Sequence, residues 1–448
     1  MGLITPIFKK GSRNLPKNYR PISLTSAVCR LLEKIIRSQL LNHLLIYNLI
    51  STQQHGFLPR RSTVTQLLNT LDTWMTSIES GKITSVIYTD LSKAFDKVSH
   101  KKLIEILASY GVAGNVKNWI TSFLNERKQK VTINGNISTS LNVLSGVPQG
   151  SVLAPLLFLI YFDDSTKVCN SKTSICLFAD DAKLFSTEPE DLQASLSQLA
   201  FFLENRQLKL AIEKCEHITI HKFRANANFS IGDTDVHEVS LVRDLGVYIS
   251  SDLKWETHIN KIKAKAHQRS YLILKSFQTK DVWLLLRAYI TYVRPIVEYA
   301  TVIWNPYLNK DIESIEQIQR SYTKKICSRC KIPFNTYKDR LYMLSIRSLQ
   351  YRRLEADLIM TFKILHKLVD IPFEKFFTLY SSPHNTRRHD YCLKQKTVKT
   401  NFLKNTFANR VVPTWNQLPN NVVASTTLFS FRTALRNFDL YSISEILY

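Results

Sequence analysis

The spacing of apolar positions changes several times along the chain, and each change marks an element. Residues 24–45, LTSAVCRLLEKIIRSQLLNHLL, carry apolar side chains at helical spacing behind Thr25 or Ser26, which predicts a capped amphipathic helix. The run RRSTVTQLLNTLDTWMTSI at 60–78 predicts a second helix, capped by Ser62 or Thr63. Residues 83–90, ITSVIYTD, are apolar and β-branched and stop at an acid, the pattern of a buried strand. A helix follows the turn, and WITSFLNERKQKVTING closes on Asn134-Gly135, a hairpin signal.

The Gly/Pro-rich loop SGVPQGS leads into the apolar run SVLAPLLFLIYF at 151–162, read as a helix. Two short apolar runs, SICLF and AKLFS, then flank a turn holding Asp180 and Asp181, and a helix is expected from 190 to about 206. From about 254 the chain reads as mainly helical. Its first helix there sets Lys261, Lys263, Lys265 and Arg269 around an Ile259, Ile262, Ala266 stripe. The order strand, helix, loop, helix, hairpin, helix, strand indicates an α+β fold. The weakest joints fall at 225–238 and 380–400, and no internal repeat or low-complexity tract is present.

Composition narrows the partner. Among 448 residues, 60 Lys and Arg oppose 36 Asp and Glu, for a formal charge of +24. Such an excess points to a polyanion, nucleic acid first. The longest apolar run is broken by Pro155 and falls short of the roughly 20 residues that span a bilayer, so no membrane anchor is expected. The opening residues do not pattern as a signal peptide. Seven scattered cysteines suit a reducing compartment. Cys327-Ser-Arg-Cys330 offers half of a zinc site, but with no second tight pair it reads better as two thiols on a basic helix end.

The chemistry lies in the acids. Asp180 and Asp181 are adjacent like charges where a tight turn normally takes Asn-Gly or Asp-Gly, a poor structural choice unless a cation sits beside them. Asp90 closes the buried strand. A strand end and a neighbouring hairpin tip can bring carboxylates together on a Mg²⁺ pair about 3.5–4 Å apart, the arrangement used in phosphodiester synthesis or cleavage. Asp163 and Asp164 form a second pair, but they follow an apolar helix without a hairpin and read as helix-end acids.

Seven stretches occur in order: YRPISL, QHGFLPRRST, YTDLSKAFDKVSH, SGVPQGSVLAPLLF, LFADD, LKLAIEKCEHI and VRDLGVYIS. The series closely resembles the reverse transcriptases of non-LTR retrotransposons, particularly Jockey-like elements, and the tail segments YRRLEADLIMTFKILHKLVDIP and ANRVVPTWNQLPNNVV resemble the region beyond the polymerase in such elements. The resemblance implies a right-hand polymerase: fingers and palm over 1–235, palm end and helical thumb over 236–330, and a helical C-terminal region over 331–448. It implies an RNA-directed DNA polymerase that extends a DNA primer on template RNA with deoxynucleoside triphosphates. The cofactor is two Mg²⁺ ions, with Mn²⁺ as an alternative.

By the same resemblance Asp90 and Asp180 bind both metals, Asp181 completes the acidic turn and the Leu91 carbonyl adds a ligand. Phe95 falls where the family places an aromatic under the sugar, a position that rejects a 2′-OH and favours DNA synthesis. The Gln149 amide can reach base or sugar, and Gly150 permits close backbone approach. Arg20, Arg60 and Arg61 lie where fingers grip phosphates. Lys214 can offer a proton to departing pyrophosphate. Gly246 resembles the grip on the primer end, and the helix carrying Lys261, Lys265 and Arg269 serves as thumb against the duplex.

Two departures are local: Arg61 stands where Gly is usual, and Ala211 where Asn is usual. The chain begins almost at the fingers, so the endonuclease that such elements carry upstream is expected to be absent from it. The location implied by the family is intracellular, as a ribonucleoprotein in cytoplasm and nucleus. The rival readings are a truncated, inactive RNA-binding remnant, which keeps salt-sensitive binding without synthesis, and an RNA-directed RNA polymerase or intron maturase.

Overall fold

The computed structural model describes residues 2–220, 227–380, 389–398 and 400–443. The joints expected at 225–238 and 380–400 lie partly outside the described residues. The chain forms two compact units, Met1–Ser62 with Ser77–Ser240, and Thr63–Thr76 with Leu241–Tyr448.

The first unit opens with strands β1 (Gly2–Phe8) and β2 (Tyr19–Leu24), paired antiparallel with Ile7 opposite Arg20. Helix α1 (Ala27–Ile46) starts on Ser26, whose hydroxyl accepts the Cys29 N–H, so of the two expected caps the fold uses Ser26. Most of helix α2 (Thr63–Glu79) belongs to the second unit. Strand β3 (Thr84–Thr89) is the run read as buried. Val86 and Ile87 point to opposite faces and neither is exposed, so β3 is covered on both sides.

Helices α3 (His100–Ser109) and α4 (Gly114–Leu124) follow. Strand β4 (Lys128–Ile133) turns through Asn134 and Gly135, both at positive φ, into β5 (Asn136–Ile137), the geometry that Asn-Gly favours. Strand β6 (Leu141–Asn142) pairs with the start of β4, and β1 runs parallel to β4. Helix α5 (Ala154–Phe162) is buried all round, as a uniformly apolar run requires.

Strands β7 (Ser174–Phe178) and β8 (Asp181–Ser186) form the expected hairpin, and helix α6 (Pro189–Asn205) follows where a helix was read. Strand β9 (Glu216–Ile220), the small hairpin β10 (Ser230–Ile231) with β11 (Thr234–Asp235), and β12 (His237–Glu238) complete the unit. The main sheet has the order β12-β9-β3-β8-β7, antiparallel except for β12 beside β9, so β3 is its centre. Its core joins Ile87 and Leu184 of the sheet to Leu103, Leu107, Leu157, Phe158, Leu196 and Leu199 of α3, α5 and α6.

The second unit begins with the hairpin β13 (Leu241–Asp244) and β14 (Val247–Ser250). Helices α7 (Glu256–Ser276), α8 (Val282–Tyr292), α9 (Arg294–Glu298), α10 (Thr301–Trp304), α11 (Asn309–Arg329), α12 (Tyr337–Met343) and α13 (Leu349–Leu365) follow, with shorter helices beyond. Helix α7 buries Ile259, Ile262 and Ala266, the stripe read from the sequence. On α13, buried Asp357 takes both Nε and Nη2 of Arg410 at 2.8 Å, and the Asn305 amide at 3.1 Å. The α+β class is thus observed directly.

Cys327 and Cys330 end α11 as free thiols, and among the described residues no group of three His, Cys, Asp or Glu is placed to hold a metal ion. No helix among the described residues is long and apolar enough to cross a membrane.

Candidate active site

Strand β3 delivers Asp90 at its C-terminal end. Its partner β8 sets Ala182 opposite Thr89, which brings the hairpin turn level with Asp90. Phe178 pairs with Asp181, so Ala179 and Asp180 alone form the turn. Ala179 has φ +58°, the left-handed region in which a side chain costs about 1–2 kcal/mol. The turn thus bears strain that glycine would not.

The brace comes from a loop 125 residues away in sequence. Buried Gln54 accepts the Ala179 N–H (3.0 Å) and the Gly56 N–H (2.7 Å) on its Oε1, and its Nε2 reaches the Ala179 carbonyl at 3.5 Å. The same loop pairs with β7: the His55 N–H donates to the Leu177 carbonyl, and the Leu177 N–H to the Gln53 carbonyl. A Cβ on Gly56 would stand 2.5 Å from the Ala179 nitrogen, so only glycine allows this approach. Arg61 in turn donates from Nη1 to the carbonyls of Ser51 (2.7 Å) and Gln54 (2.6 Å), bracing the loop.

Burial raises the Asp180 carboxyl above its ordinary range; the negative charge of Asp90 adds to this, while its own backbone N–H, Lys9 and Arg20 oppose it. The Asp90 charge thus reaches Asp180 across the paired strands. Asp90 is half exposed and meets the Lys214 ammonium at 3.3 Å. Lys214 is brought there because the chain before β9 is stitched to the end of β3. Leu91 bridges Leu210, the Ala211 N–H donates to the Asp90 carbonyl and the Ser92 N–H to the Lys209 carbonyl, each at 2.8 Å. The flanking residues make these bonds, so the Leu91 carbonyl is left out of the bridge. Asp181 is exposed at the start of β8.

Phe95 lies in a short turn at Ala94–Asp96, half buried and stacked on Phe158 of α5 at 4.5 Å. The Gln149 amide donates to Asp96 (2.9 Å), and the Gln149 carbonyl accepts the Ser23 N–H of β2 (2.7 Å). Gly150, at φ +104°, passes so close that a Cβ would stand 2.7 Å from the Ser23 carbonyl oxygen. Fully buried Glu33 of α1 fixes the far end of this loop. It accepts the Ser151 hydroxyl (2.5 Å) and the N–H groups of Val152 (2.7 Å) and Leu153 (3.0 Å), where α5 begins.

Arg20 and Arg60 are exposed. Gly246 turns β13 into β14 in the second unit, with the Tyr299 hydroxyl donating to the neighbouring Leu245 carbonyl at 2.8 Å. Lys261 stands over the Tyr248 ring at 4.8 Å, and Lys265 and Arg269 are exposed further along α7. Asp163 accepts the Ser51 N–H and Asp164 binds Arg206 at 2.7 Å, so both are taken up in structural contacts. Gln54, Glu33 and Lys9 were missed as site residues; only Gln54 stood within a quoted motif.

The donors present suit a hard cation: two carboxylates and a backbone carbonyl, all oxygen. Burial is the main cause of Asp180's raised carboxyl, with the Asp90 charge a lesser one, and the Lys214 ammonium lies against Asp90 at 3.3 Å. Among the described residues no group of three or more His, Cys, Asp or Glu is placed to hold a metal ion, so Asp90, Asp180 and Asp181 do not form a three-carboxylate cage.

Residues 7–275, more than half of the chain and every candidate residue from Arg20 to Arg269, match the family model described as reverse transcriptase (RNA-dependent DNA polymerase). The chain belongs to the reverse transcriptase family. It is 26% identical over 340 residues to the probable RNA-directed DNA polymerase from transposon X-element of Drosophila melanogaster, covering 73% of this chain and 37% of that protein. It is 24% identical over 327 residues to the RNA-directed DNA polymerase from mobile element jockey of the same organism, covering 69% and 35%. These relatives bear out the resemblance to non-LTR, Jockey-like reverse transcriptases. The chain spans a little over a third of the length of the curated relatives it matches. Among solved structures it is similar to apo telomerase from Candida tropicalis, with TM-score 0.45 and 12% identity over 84% of this chain and 62% of that one. Reverse transcriptase family membership carries the expected right-hand polymerase fold with it.

Proposed function

We propose that this chain is the RNA-directed DNA polymerase of a non-LTR retrotransposon, extending a DNA primer on an RNA template. One observation carries the reading. Asp90 ends the central strand and Asp180 sits on the turn of the hairpin paired with it, near enough for the Asp90 charge to act on Asp180. Both lie within the stretch that matches the reverse transcriptase family.

Asp90, Asp180 and the Leu91 carbonyl would hold two Mg²⁺ or Mn²⁺ ions, with Asp181 beside them, and the bound ions would activate the primer hydroxyl and stabilise the leaving oxygen. The chain's own groups do the rest. Exposed Arg20 and Arg60 bind phosphates of the incoming triphosphate and template, and Arg61 supports them by bracing the Gln54 loop. Phe95, stacked on Phe158, lies under the sugar and excludes a 2′-OH. Gln149 and Gly150 line the nucleotide from the loop tied to β2. Lys214 supplies a proton to the departing pyrophosphate oxygen. In the second unit Gly246 grips the primer end, and Lys261, Lys265 and Arg269 hold the duplex.

In this reading fingers and palm occupy 1–235, palm end and thumb 236–330, and a helical extension 331–448. The enzyme acts as a ribonucleoprotein in cytoplasm and nucleus. Primer extension on an RNA template, with dNTPs or rNTPs in Mg²⁺, tests the proposal by comparing the chain with Asp180→Asn. Extension by dNTPs and not rNTPs, lost in the variant, is expected. No extension by the folded chain, or equal extension by both proteins, overturns the assignment.

A further inference from the structure

The ends of α7 and α11, with α12 beside them, enclose an open groove of about 890 Å³ within the second unit. Six of its lining residues are basic, Lys275, Arg320, Lys324, Lys325, Arg329 and Arg340, and none is acidic. Three of the six have structural duties. Arg329 donates to the carbonyls of Leu274 (2.9 Å) and Phe277 (2.8 Å) at the end of α7, Arg320 pairs with Glu313 at 2.8 Å, and Arg340 is buried with its Nε directed to Thr323. Lys275, Lys324 and Lys325 remain exposed and make no ion pair among the described residues. Three uncompensated ammonium groups around one groove form a site for a chain of phosphates.

Two further features narrow the ligand. Tyr271, 62% exposed, stands at the rim with the Lys275 ammonium 5.8 Å from its ring centre, an open aromatic face on which an unpaired base can stack. Along α11, Gln317, Ser321 and Ser328 line the groove at spacings of four and seven residues, on one helix face with Lys324. Their amide and hydroxyls carry no side-chain hydrogen bond among the described residues and are suited to the ribose 2′-OH.

This groove is distinct from the flank of α7 assigned to the duplex. Lys261, Lys265 and Arg269 recur every four residues on one side of the buried Ile262, Ala266 and Ile273. Lys263, His267 and Tyr271 recur likewise on the other. The Lys263 ammonium reaches Ser314 of α11 at 3.0 Å, which fixes this second flank toward the groove. Burial and the charges of Lys263 and Lys325 hold His267 below the usual imidazole range, consistent with a positive field there.

We propose that the groove between α7 and α11 binds single-stranded RNA at a site separate from the template–primer duplex. The inference goes beyond the polymerase reading and does not depend on catalysis. The test uses the full chain and a fluorescent single-stranded RNA of about 12 nucleotides. Binding is followed by anisotropy across a salt series, with and without saturating RNA–DNA hybrid.

The RNA is expected to stay bound when the hybrid saturates its own site. In Lys275→Ala/Lys324→Ala/Lys325→Ala the hybrid-resistant binding should weaken at least about tenfold, and the slope of log K against log salt should flatten by about 2. Tyr271→Ala, which keeps every charge, should weaken it by about fivefold or more through lost stacking. Primer extension on a preformed short hybrid should be unchanged in both variants; should the chain extend no primer at all, the binding measurements still decide. Displacement of the RNA by hybrid, wild-type affinity in the triple variant, or equal binding of single-stranded DNA of the same sequence overturns the proposal.

Discussion

Replacing Gln54 by Met keeps the length and approximate volume of a side chain with no exposed surface, and removes the oxygen that accepts two backbone N–H groups. The Ala179 and Gly56 donors are then stranded in the interior, at roughly 1–3 kcal/mol each. The Nε2 bond to the Ala179 carbonyl, at 3.5 Å, adds little. The expected loss is on the order of 2–6 kcal/mol. It falls on a turn already holding about 1–2 kcal/mol of left-handed strain at Ala179. The cheapest relaxation is for the turn to leave that conformation, which moves Asp180.

Two assays read the outcome. Urea unfolding should show the stability loss, and single-nucleotide extension should show kcat reduced by about 10- to 100-fold from a displacement of about 1 Å, with a smaller change in KM for dNTP. Ala179→Gly in the Gln54→Met background should restore part of the rate, because glycine holds the turn without the brace. Alone, Ala179→Gly should be nearly neutral, since relief of strain is offset by roughly 0.5–1 kcal/mol of chain entropy. Wild-type kcat in Gln54→Met, or no rescue by glycine, would refute the view that the Gln54 loop sets the position of Asp180.

Three other perturbations separate support from chemistry. Lys214→Met should change stability by less than about 1 kcal/mol in urea unfolding, because the pair with Asp90 is nearly half exposed, yet lower kcat in single-nucleotide extension. Glu33→Leu strands the Val152 N–H and removes the acceptor of the Ser151 hydroxyl, while the Leu153 N–H keeps the Ser151 oxygen, and should cost about 1–4 kcal/mol in urea unfolding. His258, buried and accepting the Tyr248 N–H, has its imidazole held down to about 4 by burial, below its ordinary 6.5. Its contribution is complete above pH 6.5 and lost as pH falls towards 4, on the order of 3 kcal/mol. His258→Gln should flatten that part of the stability–pH curve.

What the sequence shows in advance, and what it hides, follows from range. The Asn134-Gly135 turn, the α7 stripe, the all-apolar α5 and the strand ending at Asp90 are readable because each is encoded by neighbours within a turn or two. The acids of the FADD turn announce themselves by being a poor local choice. Glu33 and Gln54 leave no such trace. Apart from the Ser151 hydroxyl, their distant partners lie about 120 residues away and are backbone groups, which carry no residue identity to read. Arg61 is the converse: its type suggests a phosphate contact, while its Nη1 is committed to two carbonyls that local pattern does not reveal.

The choice of Ala179 shows why this support matters. A glycine there would form the same two-residue turn without strain, but would leave Asp180 on a loose hinge. Alanine resists the left-handed conformation, so something outside the hairpin must hold it. Gln54 does so from a loop that runs on to Arg60, exposed, and Arg61, which braces it. A force on the Arg60 segment therefore reaches the acid turn through buried hydrogen bonds, whereas a glycine hinge would absorb it. On the proposed reading, in which Arg60 binds phosphate, engagement of the 54–61 loop and the placement of Asp180 are mechanically one event, and the strain at Ala179 is the reason the hairpin cannot settle its own position.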